Sequence, residues 1–238
     1  MMDAPPQGLL FADISDYQSA FNAARYARSG RRVVMVKHGE GEGNAGGAQA
    51  AERVRAAHHV GLRVIHYLMA IYTDPPEVCL RNFCERVRPA WRRGDTMELD
   101  IEAYSGPPSR AAEWVRDAQR FLRLDASAPR RMAMGYTNEA YLLEAGPRLW
   151  NLVDYWHIAT YDGRLLGRGG EPRLPRGCKA RLLAKQYTDG VLGAHPHSSP
   201  GIGPCDDSIL TPAGRAHLLG ASHAPRLKRR RVPSLRGR

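Results

Sequence analysis

The sequence is short of the features that would classify it at a glance. Its longest apolar run, Val64 to Tyr72, is interrupted by His66 and falls far short of the ~18 residues that cross a bilayer. Met1 to Phe11 carries no basic cluster and no long apolar stretch, so no secretory signal is read there and the protein is expected to be made in a cytoplasm. Cysteine occurs four times, at Cys79, Cys84, Cys178 and Cys205, without a CxxC pair or a metal-ligand spacing. Buried free thiols are the expectation. His58-His59 and the His195-Pro-His197 pair have no third ligand at a set spacing, so no metal is expected. Gly39-Glu-Gly-Glu-Gly is neither GxGxxG nor followed by a Walker lysine, and no Gly-x-Ser-x-Gly elbow occurs. Those absences argue against a nucleotide fold and a serine hydrolase, and no cofactor is implied. There is no internal repeat.

What is present describes an ordinary globular chain of 238 residues, 43% hydrophobic and 25% charged, long enough to bury a substantial core. The net charge of +11 is concentrated at one end, in Arg226, Lys228, Arg229, Arg230, Arg231, Arg236 and Arg238. Without those seven the other 225 residues carry +4. Such a run sticks to polyanions without choosing among nucleic acid, acidic wall polymer and anionic lipid.

Strand-like and helix-like segments alternate along the first two thirds. Strands are expected at Leu9–Ser15, Arg32–His38, Leu62–Leu68, Thr96–Tyr104 and Arg131–Tyr136. Helices are expected at Ala48–His59, at Pro76–Val87, beyond an N-cap at Ser109 (with Trp114, Val115, Ala118, Phe121 and Leu122 on one face), and at Asn138–Glu144. Three more strands, Tyr155–Tyr161, Ala180–Tyr187 and Cys205–Leu210, are separated by Gly- and Pro-rich stretches without helical periodicity. The expected fold is α/β: a modified eight-stranded β/α barrel of about five β/α units followed by three strands without regular helices. The barrel is assigned to residues 1–212, and 213–238 is read as a basic, disordered tail.

The segment Thr96–Tyr104 (TMELDIEAY) is the most informative. On a strand Glu98, Asp100 and Glu102 share one face and Met97, Leu99, Ile101 and Ala103 the other. In a barrel the apolar set packs on helices, so the acids face the axis, where only the mouth at the strand C-termini reaches solvent. Glu98 lies deeper and needs a partner. Asp13 closes the first strand, Asp206 and Asp207 open the eighth, and Tyr67, Tyr136, Tyr161, Gln186 and Tyr187 end others. Carboxylates ringed by aromatic faces describe a sugar-binding cleft, and crowded acids separate in pKa so that one keeps its proton. Glu102, outermost and longest, is the candidate general acid. Lys37 is placed to pair with the acids.

FADISDYQ, VVMVKHGEG, LRVIHYL, ELDIEAY, MGYTNEAY, HIATYDG, AKQYTDG and CDDSIL follow one another between Phe11 and Leu210. This ordered set resembles glycoside hydrolase family 25, the muramidases common among phage endolysins. The resemblance implies a β/α barrel whose last strands lack regular helices and a lysozyme-type hydrolase of bacterial peptidoglycan. It implies Glu102 as general acid and Asp100 as nucleophile or as orienter of the substrate's acetamido group. Asp13 and either Asp206 or Asp207 would complete the acidic mouth. Tyr67, Tyr136, Tyr161, Gln186, Asp207 and Lys37 are the candidate substrate contacts. Retaining, inverting and substrate-assisted chemistry all stay open. The chain departs from the family's usual pattern at Leu68 (usually His), His157 (usually Trp) and Ser208 (usually Asn). An endolysin would be made in the host cytoplasm and act on the wall after release, its basic tail drawn to anionic wall polymers. Two other readings are carried: a non-catalytic sugar-binding barrel with degenerate acids, and nucleic-acid binding through the tail. An acid-lined mouth disfavours the last.

Overall fold

A computed structural model describes residues 9–43, 47–124, 133–166, 171–188 and 198–220. The elements run β1 (Leu10–Ile14), α1 (Ala23–Arg28), β2 (Val33–Glu40), α2 (Gly47–His59), β3 (Arg63–Met69), α3 (Pro76–Val87), β4 (Thr96–Asp100) and α4 (Pro108–Leu124). They continue with β5 (Met134–Asn138), α5 (Glu139–Ala145), α6 (Pro147–Trp150), β6 (Tyr155–Ala159), β7 (Arg181–Gln186), a small hairpin of β8 (Ser198–Ser199) and β9 (Gly203–Pro204), β10 (Asp207–Leu210) and α7 (Pro212–Leu219). Among the described residues the strands close a barrel in the order β1-β10-β7-β6-β5-β4-β3-β2. The seven strands β1–β7 run parallel where they pair, and β10 is antiparallel to both its neighbours, β1 and β7. Helices follow the early strands and no regular helix is described between β6 and β7. The modified eight-stranded barrel expected from the sequence is therefore the fold.

Period-2 and period-3.6 patterns build this arrangement together. Outward-facing Leu68, Met97, Leu99, Trp156 and Ile158 meet Leu80, Phe83 and Val87 of α3 and Trp114, Val115, Ala118 and Leu122 of α4 in the largest core cluster. Inward-facing Phe11, Val33, Met35, Ile65, Met134 and Leu210 join the cluster that fills the axis. Gly135 leaves space on the outer face of β5: a Cβ there would lie 2.6 Å from the Trp156 ring. Cys79, Cys84 and Cys205 are buried, Cys178 is half-buried, and all four are free thiols.

The structure corrects two boundaries. β4 stops at Asp100, and Glu102 is the N-cap of a short 3-10 turn, Ala103–Ser105; its side chain and that of Ser105 bond each other's backbone N–H. Glu102 thus leaves the strand face it was expected to share with Glu98 and Asp100. Residues assigned to the tail from 213 onward include helix α7, whose Thr211 Oγ1 accepts from Gly214 N at 3.1 Å. The Thr211-Pro212 pair, a cap followed by proline in the first turn, was the signal for it. α7 docks on β7 through Gly214, where a Cβ would meet the Leu183 carbonyl oxygen at 2.0 Å. The cationic residues 226–238, with Arg131, Met132, His195 and His197, lie outside the described residues.

The barrel closes over a buried ion pair. The Arg31 guanidinium donates to both carboxylate oxygens of Asp207, at 2.7 and 2.6 Å, with both side chains essentially inaccessible. Ser199 Oγ donates to the same carboxylate at 2.6 Å, and the Tyr26 ring lies 5.3 Å beneath the guanidinium carbon. Breaking one side of such a pair strands a buried charge. Arg31→Ala is expected to lower unfolding stability by about 3–5 kcal/mol in urea denaturation. The double substitution Arg31→Met with Asp207→Leu is expected to lower it by less than Arg31→Ala alone.

Candidate active site

Asp13, Tyr67, Asp100, Tyr136 and Gln186 come from β1, β3, β4, β5 and β7, at or near strand C-termini. Because β10 runs antiparallel, its first residues lie at that same end, and the backbone N–H of Asp13 donates to the Asp206 carbonyl at 3.0 Å. Alternation then separates the two adjacent acids. Ser208 faces the axis, where its Oγ lies 2.9 Å from His157 Nε2, so Asp206 turns the same way and Asp207 turns outward. Asp207, expected as a substrate contact, is instead the anchor of the Arg31 pair, fully buried and out of reach of a ligand.

The acids are crowded and dry. Burial first, then the Asp206 and Glu98 charges, push the Asp13 carboxyl up to about 8, against the Tyr67 hydroxyl and Lys37, which favour its ionised form. Tyr67 Oη donates to Asp13 Oδ2 at 3.2 Å. Asp100 is held well above the carboxylate range by burial and by Glu102, Asp13 and Glu98. Burial also raises Glu102, with Lys37 opposing. Burial would strip Lys37 of its proton, yet its 2.7 Å bond to Glu40 Oε2 and the Glu40, Asp100 and Asp13 charges hold its pKa above the usual lysine value. Lys37 pairs directly with Glu40, an acid outside the expected set, and acts on the mouth through its field.

Below the mouth, Glu98 has found the partner it needs. His157 Nδ1 lies 3.1 Å from Glu98 Oε1, and the ring packs 5.1 Å from Tyr136 and 5.4 Å from Phe11. Glu98 Oε2, Asp100 Oδ1, Asp13 Oδ1 and Gln186 Oε1 are all buried without a hydrogen-bond partner. For Asp13 and Asp100 the unpartnered oxygen fits a carboxyl whose pKa burial has raised. The walls are tyrosines: Tyr136 Oη lies 2.8 Å from Tyr161 Oη, and burial raises both phenols, so they stay neutral. Tyr67 is also raised, by burial and by Asp13 and Asp100. Tyr17 and Tyr104 stand 91% and 69% exposed on the loops after β1 and β4. Neither was singled out from the sequence, although each follows a strand with an acid at or next to its last residue.

The family model for glycosyl hydrolases family 25 matches residues 12–188. The chain belongs to this family. It is a glycoside hydrolase of the lysozyme, or muramidase, type, and enzymes of its family bind peptidoglycan. The fold agrees with that of a bacterial lysozyme from Streptomyces coelicolor: 17% identity, TM-score 0.69, covering 91% of this chain and 99% of that one. The catalytic domain of endolysin ply40 from bacteriophage P40 of Listeria monocytogenes is similar at 16% identity and TM-score 0.59, covering 90% and 98%. The modular autolysin LytC from Streptococcus pneumoniae, solved with a synthetic peptidoglycan ligand, matches at 14% identity and TM-score 0.66, covering 85% of this chain and 46% of that one. None of the curated protein sequences compared with the chain matches it.

Of the residues expected from sequence, this muramidase brings Asp13, Asp100, Glu102, Asp206, Tyr67, Tyr136, Tyr161 and Gln186 to one end of the barrel, with Lys37 beside them. His157 and Ser208 were noted only as departures; together they hold Glu98. No group of three His, Cys, Asp or Glu suited to a metal is found among the described residues. Asp13 carries a stability signature. A carboxyl raised in the folded state favours folding below its unfolded pKa, and that advantage is lost as pH climbs through its folded value. Between pH 4 and 8 Asp13 therefore becomes a liability. Asp13→Asn is expected to raise unfolding free energy at pH 7.5 by on the order of 2–4 kcal/mol, and the gain should vanish near pH 4 in denaturant titrations.

Proposed function

We propose that this muramidase cleaves the β-1,4 bond between N-acetylmuramic acid and N-acetylglucosamine, with Glu102 as general acid. The observation that carries the assignment is the contrast between Asp100, the last residue of β4, and Glu102 just beyond it. Asp100 is buried, whereas Glu102 caps the turn beyond the strand, remains half-buried and has a raised pKa. Only a carboxyl placed like Glu102 combines a held proton with access to a glycosidic oxygen. As the bond to the leaving sugar breaks, its electron pair takes the Glu102 proton. Positive charge develops at the anomeric carbon, and Asp100 stabilises it directly or through the substrate's acetamido group; water completes the hydrolysis. Asp13 and Asp206 complete the acidic cluster. Tyr67, Tyr136, Tyr161, Gln186 and Lys37 contact the glycan, with exposed Tyr17 and Tyr104 offering flat apolar faces to further sugars.

The biological role we assign is that of a phage endolysin, made in the host cytoplasm and acting on the wall after release. Likeness to a phage catalytic domain supports it, and the basic residues 226–238 suit contact with anionic wall polymers. The non-catalytic alternative is disfavoured, because Asp13, Asp100 and Glu102 are all in place with pKa values raised as an acid catalyst requires.

Release of reducing sugar ends from purified peptidoglycan tests the mechanism. Glu102→Gln and Asp100→Asn are each expected to lower the rate by about 10²–10⁴-fold while wall binding persists. Activity of the parent should extend above the pH range of an ordinary glutamic acid and fall as Glu102 loses its proton. Wall binding with no sugar-end release by the parent protein on several wall types would leave only a binding barrel.

A further inference from the structure

The opposite end of the barrel carries a pocket that the catalytic reading does not use. It has a volume of about 300 Å³ and is lined by Arg32, Arg63, Arg92, Arg93, His58, Asp95 and the apolar residues around them. Arg32 precedes β2, Arg63 opens β3 and the 92–95 turn precedes β4, so the arginines converge at strand N-termini, on the barrel floor. Two guanidinium groups are anchored. Arg63 Nη1 donates to the Arg93 carbonyl at 2.8 Å and lies across Gly94, where a Cβ would come within 1.6 Å of it. Arg92 Nη1 reaches the His58 carbonyl at 3.4 Å. The acid among the lining residues is already committed. Asp95 accepts from Arg92 N at 2.8 Å and lies 3.0 Å from His58 Nε2 and 3.2 Å from His66 Nε2, with a side chain 2% exposed. These bonds hold Asp95 ionised, below its ordinary pKa, although burial opposes them. Four arginines therefore face a concavity whose one carboxylate is turned inward.

We infer that this floor pocket binds a phosphate group, presented as the phosphodiester of an anionic bacterial wall polymer. Arginine forks match phosphate oxygens in geometry as well as charge, and two of the forks are fixed before a ligand arrives. A compact concavity suits one phosphate at a time; a nucleic acid would call for a basic groove tracking many phosphates with aromatic faces beside it. The location adds a functional argument. The floor faces away from the acid-lined mouth, so a polymer held there leaves the glycan cleft free. Leu219, the last residue of α7, also lines the pocket. The choice of a wall polymer rests on the muramidase reading; the phosphate pocket itself does not.

Calorimetric titration of the full chain with inorganic phosphate, poly(glycerol phosphate), polyglutamate and duplex DNA at low salt tests this, comparing the parent with R92A/R93A. Arg63 is left in place because it fixes the turn. The expected result is measurable phosphate binding, poly(glycerol phosphate) preferred to polyglutamate and DNA, and an affinity lower by about tenfold or more in the variant. Sugar-end release from phosphate-free peptidoglycan should be unchanged, which also reports an intact fold. Equal affinity in parent and variant would assign the binding to residues 226–238 and overturn the pocket. Polyglutamate binding as tightly would overturn phosphate selectivity, and an arginine-dependent preference for DNA would make the pocket a nucleic-acid site. Phosphate binding that survives alongside absent sugar-end release in the parent would overturn the muramidase mechanism alone.

Discussion

The direction of one strand organises this molecule. A barrel has no free edge only if its last strand fits between the seventh and the first, and β10 does so antiparallel to both. Running the chain backwards through that slot brings the start of β10, not its end, to the catalytic mouth. Three consecutive residues then serve three purposes: Asp206 joins the acidic cluster, Asp207 turns outward to Arg31, and Ser208 turns inward to His157. This seam is held by the buried Arg31–Asp207 pair and by Tyr26 of α1, whose hydroxyl accepts from Ala12 N and donates to the Val33 carbonyl. The site and the closure of the fold therefore depend on the same short strand and the aspartate just before it.

The mouth illustrates how far crowded acids run against the logic of stability. Packing Asp13 and Asp100 beside Glu98 and Asp206 in a shared low-dielectric volume disfavours the Asp13 and Asp100 anions. The fold accommodates the crowding by raising the pKa of Asp13 and Asp100, by setting Lys37 at the margin, and by giving Glu98 a histidine of its own. His157 occupies a position where the ring must pack against Phe11 and Tyr136 and also bond two polar side chains, a combination that an indole, with its single N–H, does not supply. Trp156, one residue earlier, points outward into the helix layer and bonds the Trp150 carbonyl through Nε1.

Much of this was legible in the sequence because barrels are periodic. Alternation in Met97 to Asp100 fixed which side chains face the axis, and the spacing of Leu80, Phe83, Cys84 and Val87 fixed the face of α3. Chemistry that depends on local hydrogen bonding was harder to see. Glu102 continues the alternation in sequence, but its carboxylate competes for the backbone N–H of Ser105 and ends the strand. Asp206 and Asp207 are indistinguishable until the strand's phase is known, and the inward-facing Ser208 supplies it. The partnership of Glu98 with His157 joins residues 59 positions apart, a pairing that no local pattern encodes.

The closure at β1 and β10 also sets an order in time. β1 begins at Leu10 and its partner ends at Leu210, so synthesis from the N-terminus leaves one side of β1 without its neighbour until nearly the whole barrel has been made. Asp13 and Asp206 meet only at that last step. A ribosome-bound or truncated chain can carry the β4 acids in place and still lack half of the mouth.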